Sequence, residues 1–443
     1  MAPLNILIVG CSIAGPALAT FLLLSTLPTS EKPRITILER SSALRTQGQN
    51  IDIRGVGVTM IRKLGLEAVI RASSTGEEGV RWVTKDNRVW ASHPAGNDGE
   101  LHTPTSGIEI MRGRLADICL KRSKALRDEV EQEGGTGIKY IFGDYLDELD
   151  QQEDDDGMQQ VHVRFAKSGD RRTYDVVIGA DGLHSQTRKM AWGIEGETDR
   201  VKRLDMFGAF FSIPPEKTDT TWRRCFHTTG RRLIMLRPDV QSGRTTAFLS
   251  VVNAKDRRLA AVAADGSHGP DALAAQKALI KGYFHDAGWE SERILREMTA
   301  AEDFYYEVVA QVKMDKWSKG RVVLVGDAAY CASPLSGMGA TLALYGAYNL
   351  AGALTRHPQD PGAAFAEYEE RMRAAVGEAQ KLVPGQLRIM NPETAWGVWF
   401  VDALVRLLVW SRLLNLLFKL KGQKKESVHV EEYGLRELPE WTE

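Results

Sequence analysis

Cysteine is scarce, at four in 443 residues. Cys11, Cys119, Cys225 and Cys331 lie far apart with no CxxC pair, which excludes a disulfide-stapled scaffold and a dithiol site and leaves four reduced, small apolar residues. Nine histidines are scattered without HExxH or any His/Cys cluster, so no protein-ligated metal is expected. Charge of one sign is also lacking. Lys+Arg 57 against Asp+Glu 58 leaves a net charge of -1, which offers a nucleic acid no general attraction. The N-terminus, MAPLNILIVG, has no basic region and its apolar run stops at Gly10, unlike a secretory signal, so a cytosolic chain is expected. With 43% apolar and 26% charged residues the composition is that of a globular protein, and the length suits about three folding units at roughly 150 residues each.

What is present begins with a βαβ pattern. Leu4 to Val9 has strand length, GCSIAG follows at Gly10 to Gly15, PALATFLLL has helical spacing, and ITILER at Ile35 to Arg40 reads as a second strand. No repeat of 20 to 50 residues recurs. The carboxylate-rich stretch Asp147 to Asp156 reads as a solvated hairpin turn, after which VHVRF (Val161 to Phe165) alternates by two and YDVVIGADG reads as a buried strand. From Phe207 to Val252, FGAFFSI, RRLIML and TTAFLSVV alternate between polar turns, which suits an antiparallel sheet. Asp271 to Ala287 reads as a helix. RVVLVGDAA (Arg321 to Ala329) is again a buried strand ending on an acid, followed by a Gly-rich turn and a helix from about Gly339 to Leu354. Past Glu378 the chain reads as helical.

Three segments carry chemistry. In GCSIAG, Gly10 permits a tight turn, Gly15 lets the helix approach the strand, and the helix N-terminus offers N–H groups to a pyrophosphate. Ser12 stands where a third glycine is usual. Glu39, at the end of the next strand, is placed to accept both hydroxyls of a ribose. The plain alternative is an ordinary βα turn with a surface glutamate. The second segment is YDVVIGADGLHSQTR (Tyr174 to Arg188) and the third GRVVLVGDAAYCASPLSGMG (Gly320 to Gly339). In this order the three resemble the fingerprints of the single-component FAD-dependent aromatic hydroxylases, the p-hydroxybenzoate hydroxylase-like monooxygenases, over the chain to about residue 380. The resemblance is nearest to tetracycline-inactivating and fungal secondary-metabolite tailoring members.

That resemblance implies an α/β fold: a Rossmann-like FAD-binding domain from 1–71, 101–181 and 303–380, an inserted antiparallel-sheet substrate domain from 72–100 and 182–302, and a long C-terminal helical segment over 381–443. It implies that Gly10, Ser12, Ile13, Ala14 and Gly15 hold the FAD pyrophosphate, and Glu39, with Arg40 beside it, the adenosine ribose. Asp327 would bind the ribitol, with Pro334, Gly337, Met338 and Gly339 around the ring. Asp181 and Gly182 would support the flavin and the nicotinamide, and Arg112 would reach the phosphate or ribitol, with Arg114 as the other reading of EIMRGRL. Tyr330 and Met338 depart from the family's usual His and Gln. Only one dinucleotide fingerprint follows a strand, so NADPH or NADH would be a transient co-substrate. The implied reaction is reduction of FAD, addition of O2 at its C4a, and transfer of one oxygen from the hydroperoxide to an electron-rich carbon.

For the substrate, alternation places Phe207, Ala209 and Phe211 on one sheet face, with His227 and Met235 on strands that could join it. Such side chains suit a planar apolar ligand or are inter-domain core. His227 is a candidate base or a structural strand histidine. Arg54, in QNIDIRG, either steers a ligand or pairs with Asp52 at the surface. The apolar stretch over 395–420 is interrupted by Asp402, Arg406 and Arg412, which speaks against a spanning helix. It reads as a helix bridging the domains and walling the cavity, with membrane contact through an interfacial helix as the lesser alternative. The expected function is an FAD-dependent monooxygenase that hydroxylates or epoxidises an aromatic or conjugated polycyclic molecule in secondary metabolism or antibiotic modification. The rivals are a flavin-dependent reductase without oxygen insertion and a GDP-dissociation-inhibitor-like binding protein.

Overall fold

Buried apolar strands build one layer. A computed structural model describes residues 3–44, 48–96, 106–153, 159–263, 269–383, 385–411 and 429–443. Asn5–Val9 is the central member of a six-stranded sheet, flanked in parallel by Arg34–Glu39 and Val176–Gly179, with Ile138–Phe142 and Val322–Leu324 outside them. These strands are buried on both faces and so read as unbroken apolar runs: helices cover one face, and a three-stranded antiparallel sheet of Leu146–Glu153, Gln159–Phe165 and Arg171–Tyr174 covers the other. The helix Gly339–Arg356 is buried from Ala340 to Leu354 and packs between Ala14–Leu23, Val56–Lys63 and Pro361–Ala379. Small residues let it pass so close.

One notch in that helix explains the departure at Tyr330. The Tyr330 ring is buried against Trp317 at 4.7 Å between centroids, and its hydroxyl lies 3.0 Å from that of Tyr368. A Cβ at Gly346 would stand 1.9 Å from the Tyr330 oxygen. Tyrosine after GDAA is therefore a packing feature accommodated by glycine on the facing helix.

The second layer is a seven-stranded sheet in the order Tyr305–Val312, Val201–Ile213, Arg244–Val252, Arg232–Asp239, Arg223–Thr228, Gly79–Val83, Val89–Pro94. All its pairings are antiparallel except Arg223–Thr228 with Gly79–Val83. The strand Tyr305–Val312, assigned to the FAD-binding part by sequence, thus belongs to this sheet. One sheet face is covered by the helices Pro270–Phe284 and Ser291–Ala300, and there lie Ala209, Phe211, Ile234 and Leu249. Phe207 packs on the same side with Val251, Leu259 and Val308.

Two C-terminal features differ from the sequence reading. The helix Ala395–Trp410 has no buried residue and lies along the strands Val89–Pro94 and Arg223–Thr228. Asp402, on its half-buried side, has Oδ1 3.2 Å from His227 Nδ1, and the guanidinium of the exposed Arg406 stands 5.6 Å from the Trp90 ring. Trp396, Trp399, Leu407 and Trp410 are exposed. Residues 412–420 of the expected apolar stretch, and 154–156 of the expected hairpin turn, lie outside the described residues. Residues 429–443 are extended, which corrects the expectation of helix to the C-terminus. Arg436 N–H donates to Leu24 O, Trp441 N–H to Gly65 O, and the Tyr433 ring rests on Gly352, where a Cβ would be 2.2 Å away. Among the described residues no helix is long and apolar enough to cross a membrane.

Gly346→Ala is expected to cost about 1–3 kcal/mol by overpacking, read as a lower urea midpoint with an unchanged slope. Adding Tyr330→Phe, which removes the clashing oxygen, is expected to restore part of it.

Candidate functional site

The three motif loops meet at the ends of the parallel strands. Gly10 has φ +113°, and a Cβ there would stand 2.5 Å from Ala180 O, at the end of the neighbouring strand. A Cβ at Gly15 would be 2.0 Å from Gly10 O, so both glycines are required by contact. On the other side, Gly326 (φ +66°) lies against Ala14 and Ala343, at 3.5 and 3.7 Å from its would-be Cβ. The first loop therefore touches both the second and the third, whose strands lie side by side in the sheet.

Each loop presents groups suited to a dinucleotide. The helix Ala14–Leu23 starts after Ile13 with no side-chain cap, and no acid occupies its first turn, so its N–H groups and dipole are available to a phosphate. Ser12 is half-exposed at the loop tip, where a small side chain leaves the backbone accessible. Glu39 accepts from Cys11 N–H and Ser41 N–H, each at 2.9 Å, which holds its carboxylate at the mouth of the loop. Arg40 beside it is exposed. The helix Gly339–Arg356 likewise starts after Met338 without a side-chain cap, with open space at the Gly339 Cβ position. Pro334 is exposed, Gly337 is left-handed at φ +60°, and Met338 is half-exposed.

Asp181 shapes the second loop. Its carboxylate accepts from Ser185 Oγ (2.5 Å), Thr187 N–H (3.0 Å) and Thr187 Oγ1 (3.0 Å), fixing the turn into the helix Gln186–Trp192. From that helix comes a residue the motif reading passed over. Arg188 has no exposed surface, and it donates to Ala328 O and Leu183 O at 2.7 Å each and to Glu197 Oε1 at 2.5 Å. It joins the second loop to the third.

Asp327 and Arg112 face one cleft. Both are exposed to it, and the protein mass around the cleft raises the Asp327 carboxyl above its usual range, with Arg112 and then Cys331 opposing the rise. Arg112 N–H donates to Gln49 O at 3.0 Å. Arg114 instead points away, held by Ser73 (3.1 Å), Asp117 (3.0 Å) and Glu443 (2.6 Å), which favours the Arg112 reading.

The antiparallel sheet supplies the other wall, and here the inferred face is corrected. Phe207, Ala209 and Phe211 face the covering helices. The register puts Tyr305, Phe210, Phe248, Met235 and Cys225 side by side on the opposite face. Phe210 stacks on Phe248 at 4.4 Å and on Tyr305 at 4.8 Å between centroids, and all three rings are half-exposed. Met235 and His227 do lie on this face, but His227 faces Asp402 of the C-terminal helix, which supports its structural reading. Arg54 is 4% exposed, so it is not a surface residue. Its Nη2 is 3.0 Å from Asp52 Oδ2, and its N–H donates to Thr341 Oγ1 at 3.1 Å, tying the loop before Val56–Lys63 to the Gly339 helix. Arg237 pairs with Glu77 (2.8 Å) and with Glu109, and Arg223 with Glu77 (3.0 Å), so charges near this wall are compensated.

Two bare helix N-termini, a backbone-held glutamate, an aspartate and an arginine on one cleft fit a dinucleotide with a polyol link, as FAD has. The comparisons agree. The family model described as FAD binding domain matches residues 4–381. The chain is 33% identical over 437 residues to the FAD-dependent monooxygenase asL6 of Sarocladium schorii, covering 97% of this chain and 98% of the relative. It is 33% identical over 409 residues to monooxygenase CTB7 of Cercospora beticola, covering 90% and 91%. Among solved structures, the tetracycline destructase Tet(51) is similar at a TM-score of 0.73 and 27% identity, over 98% of this chain and all of that one (100%).

Arg188→Met is expected to cost about 3–5 kcal/mol, because Glu197 and two carbonyls lose a buried cation. Differential scanning calorimetry with and without added FAD would show the loss in both. Glu39→Ala is expected to weaken FAD roughly tenfold or more, since a carboxylate hydrogen bond is worth about 1.5–3 kcal/mol. Fluorescence titration of the apoprotein with FAD measures it.

Proposed function

The chain belongs to the FAD binding domain family and is an FAD-dependent monooxygenase, and from that premise we propose that it oxygenates a planar aromatic or conjugated polycyclic molecule, by hydroxylation or epoxidation, in secondary metabolism or antibiotic modification. The observation that carries the substrate class is the ladder Tyr305, Phe210, Phe248 and Met235 on the cleft face of the sheet. Stacked, partly exposed rings favour a flat, apolar ligand laid parallel to them. The tetracycline destructase similar to this chain acts, by its name, on tetracyclines.

Bound FAD supplies the redox chemistry: electrons from NAD(P)H, one oxygen atom to the substrate and the other to water. The residues of this chain do the rest. Gly10 to Gly15, Glu39, Arg112 and Asp327 hold the dinucleotide along the ends of the parallel strands. Pro334 to Gly339 place the ring end of the cleft, and the helix N-terminus at Gly339 favours negative charge developing there. The aromatic ladder positions the substrate carbon and keeps water from the reacting atoms. Arg54, compensated by Asp52, shapes the loop beside Gly337 without offering a free cation to an anionic ligand.

The test is oxygen uptake and NADH or NADPH oxidation over a panel of phenols, indoles and polyketides, with mass spectrometry of products. A product heavier by one oxygen is expected, and full product yield without O2 would overturn the reading. Phe210→Ala is expected to raise KM for the best substrate roughly two- to tenfold, the worth of an aromatic pair, with FAD affinity unchanged.

A further inference from the structure

A lone carboxyl lies where the aromatic ladder meets the cofactor cleft. In the strand YYEVVAQV the alternation puts Glu307 on the same face as Tyr305 and Val309. Its partner in register is Gly208, over which the ladder rings lean: a Cβ there would stand 2.5 Å from the Phe248 ring and 3.2 Å from that of Phe210. Beyond Gly208 in the same row come Ser250, Leu233 and His227. Glu307 is half-buried, and among the described residues no group donates a hydrogen bond to its carboxylate. A carboxylate so placed keeps its acceptor sites for water, a proton or a ligand.

The charged and titratable groups that act on it come from three directions. Arg112 stands at the start of the helix Arg112–Gln132, Asp327 and Cys331 come from the segment packed beside the Glu307 strand, where Val312 N–H donates to Cys331 O, and Tyr305 is two residues back on its own strand. Burial pushes the Glu307 carboxyl up to about 7, Arg112 pulling it down and Asp327 adding to the rise. Tyr305 cannot take the same role. Its phenol is raised well above its ordinary value by burial, and its hydroxyl is 3.2 Å from Gln49 Oε1.

We propose that Glu307 is the general base of the cleft, a catalytic residue that takes a proton from a phenolic or enolic hydroxyl of a substrate lying on the Tyr305–Phe210–Phe248 ladder. This rests on the monooxygenase reading and narrows its substrate to one with an ionisable hydroxyl. The substrate O–H bond breaks, the proton binds a Glu307 carboxylate oxygen, and the electron pair stays on the substrate oxygen. Electron density at the carbons conjugated with it rises, which is where an electrophilic oxygen adds. A base is most effective when its pKa lies near the working pH, and the position of Glu307 provides that. The sign of the linkage is that of a raised acid: between the usual carboxylate value and about 7, the folded chain keeps a proton that the unfolded chain has released. Stability is therefore lost as pH rises through that window.

The holoenzyme tests this through its own absorbance. Titrating the bound-flavin spectrum from about pH 5 to about pH 9 is expected to show one midpoint near neutrality. Glu307→Gln should abolish it, and Glu307→Asp should retain a midpoint. With the most active phenol of the panel, Glu307→Gln should lower turnover roughly 100-fold or more. A midpoint that persists in Glu307→Gln, a wild-type spectrum with none, or an unchanged rate overturns the proposal. So does a panel in which only arenes without a hydroxyl are oxygenated, and so does a Glu307→Gln protein that fails to retain FAD while Glu307→Asp retains it. A wild-type chain that gains no yellow absorbance with FAD sinks the flavoprotein reading instead, and the two failures are distinct.

Discussion

A guanidinium with no exposed surface holds two of the cofactor loops to each other. Arg188 bonds the carbonyls of Leu183 and Ala328, one in the Asp-Gly turn and one in the GDAA segment, while Glu197 neutralises it. Removing such a charge from water is expensive, and only several well-placed acceptors repay it. The arrangement is therefore rigid: neither loop can shift without stranding a buried charge. Gly10 completes the assembly by pressing against Ala180, and Gly326 by meeting Ala14. The loop side of the cleft inherits its shape from these contacts.

Much of this was legible. Gly10, Gly15 and Glu39 could be placed because a phosphate turn needs glycine for backbone reasons that spacing alone reveals. Asp181 was found for its motif, but its carboxylate is engaged by Ser185 and Thr187, so its contribution is to the loop's shape. Arg188 stood at the end of the segment YDVVIGADGLHSQTR and was passed over, because nothing local shows that its partners lie 140 residues on at Ala328. Long-range acceptors are invisible to spacing.

Two misreadings share one cause, which is that pattern gives parity and not direction. Alternation in FGAFFSI separates Phe207, Ala209 and Phe211 from Gly208 and Phe210, but which set faces the cleft depends on what covers each side. The helices Pro270–Phe284 and Ser291–Ala300 take the more fully apolar set, leaving the half-exposed rings for a ligand. The C-terminal helix keeps the usual rule in part. Its charges looked like interruptions of an apolar surface, and its half-buried side is indeed mostly apolar, with Val398, Val401, Val405 and Val409. Asp402 shares that side and meets His227, while the exposed Arg406 reaches the Trp90 ring.

The same logic gives Glu307 its importance. Glu307 is the charged residue of YYEVVAQV, last of three half-buried positions before five buried ones, and a strand tolerates such a residue on an edge or against a partner. Tyr305–Val312 is the edge strand of its sheet, yet its ladder face turns toward Arg112 and Asp327 and not toward bulk water. The glycine opposite leaves room for the Phe248 and Phe210 rings to lean over it, which sets the aromatic floor beside the half-buried carboxyl. A group so placed is desolvated enough to hold a proton near neutrality and open enough to exchange it. Neither property follows from the cofactor motifs, and both follow from which face of one edge strand meets the parallel sheet.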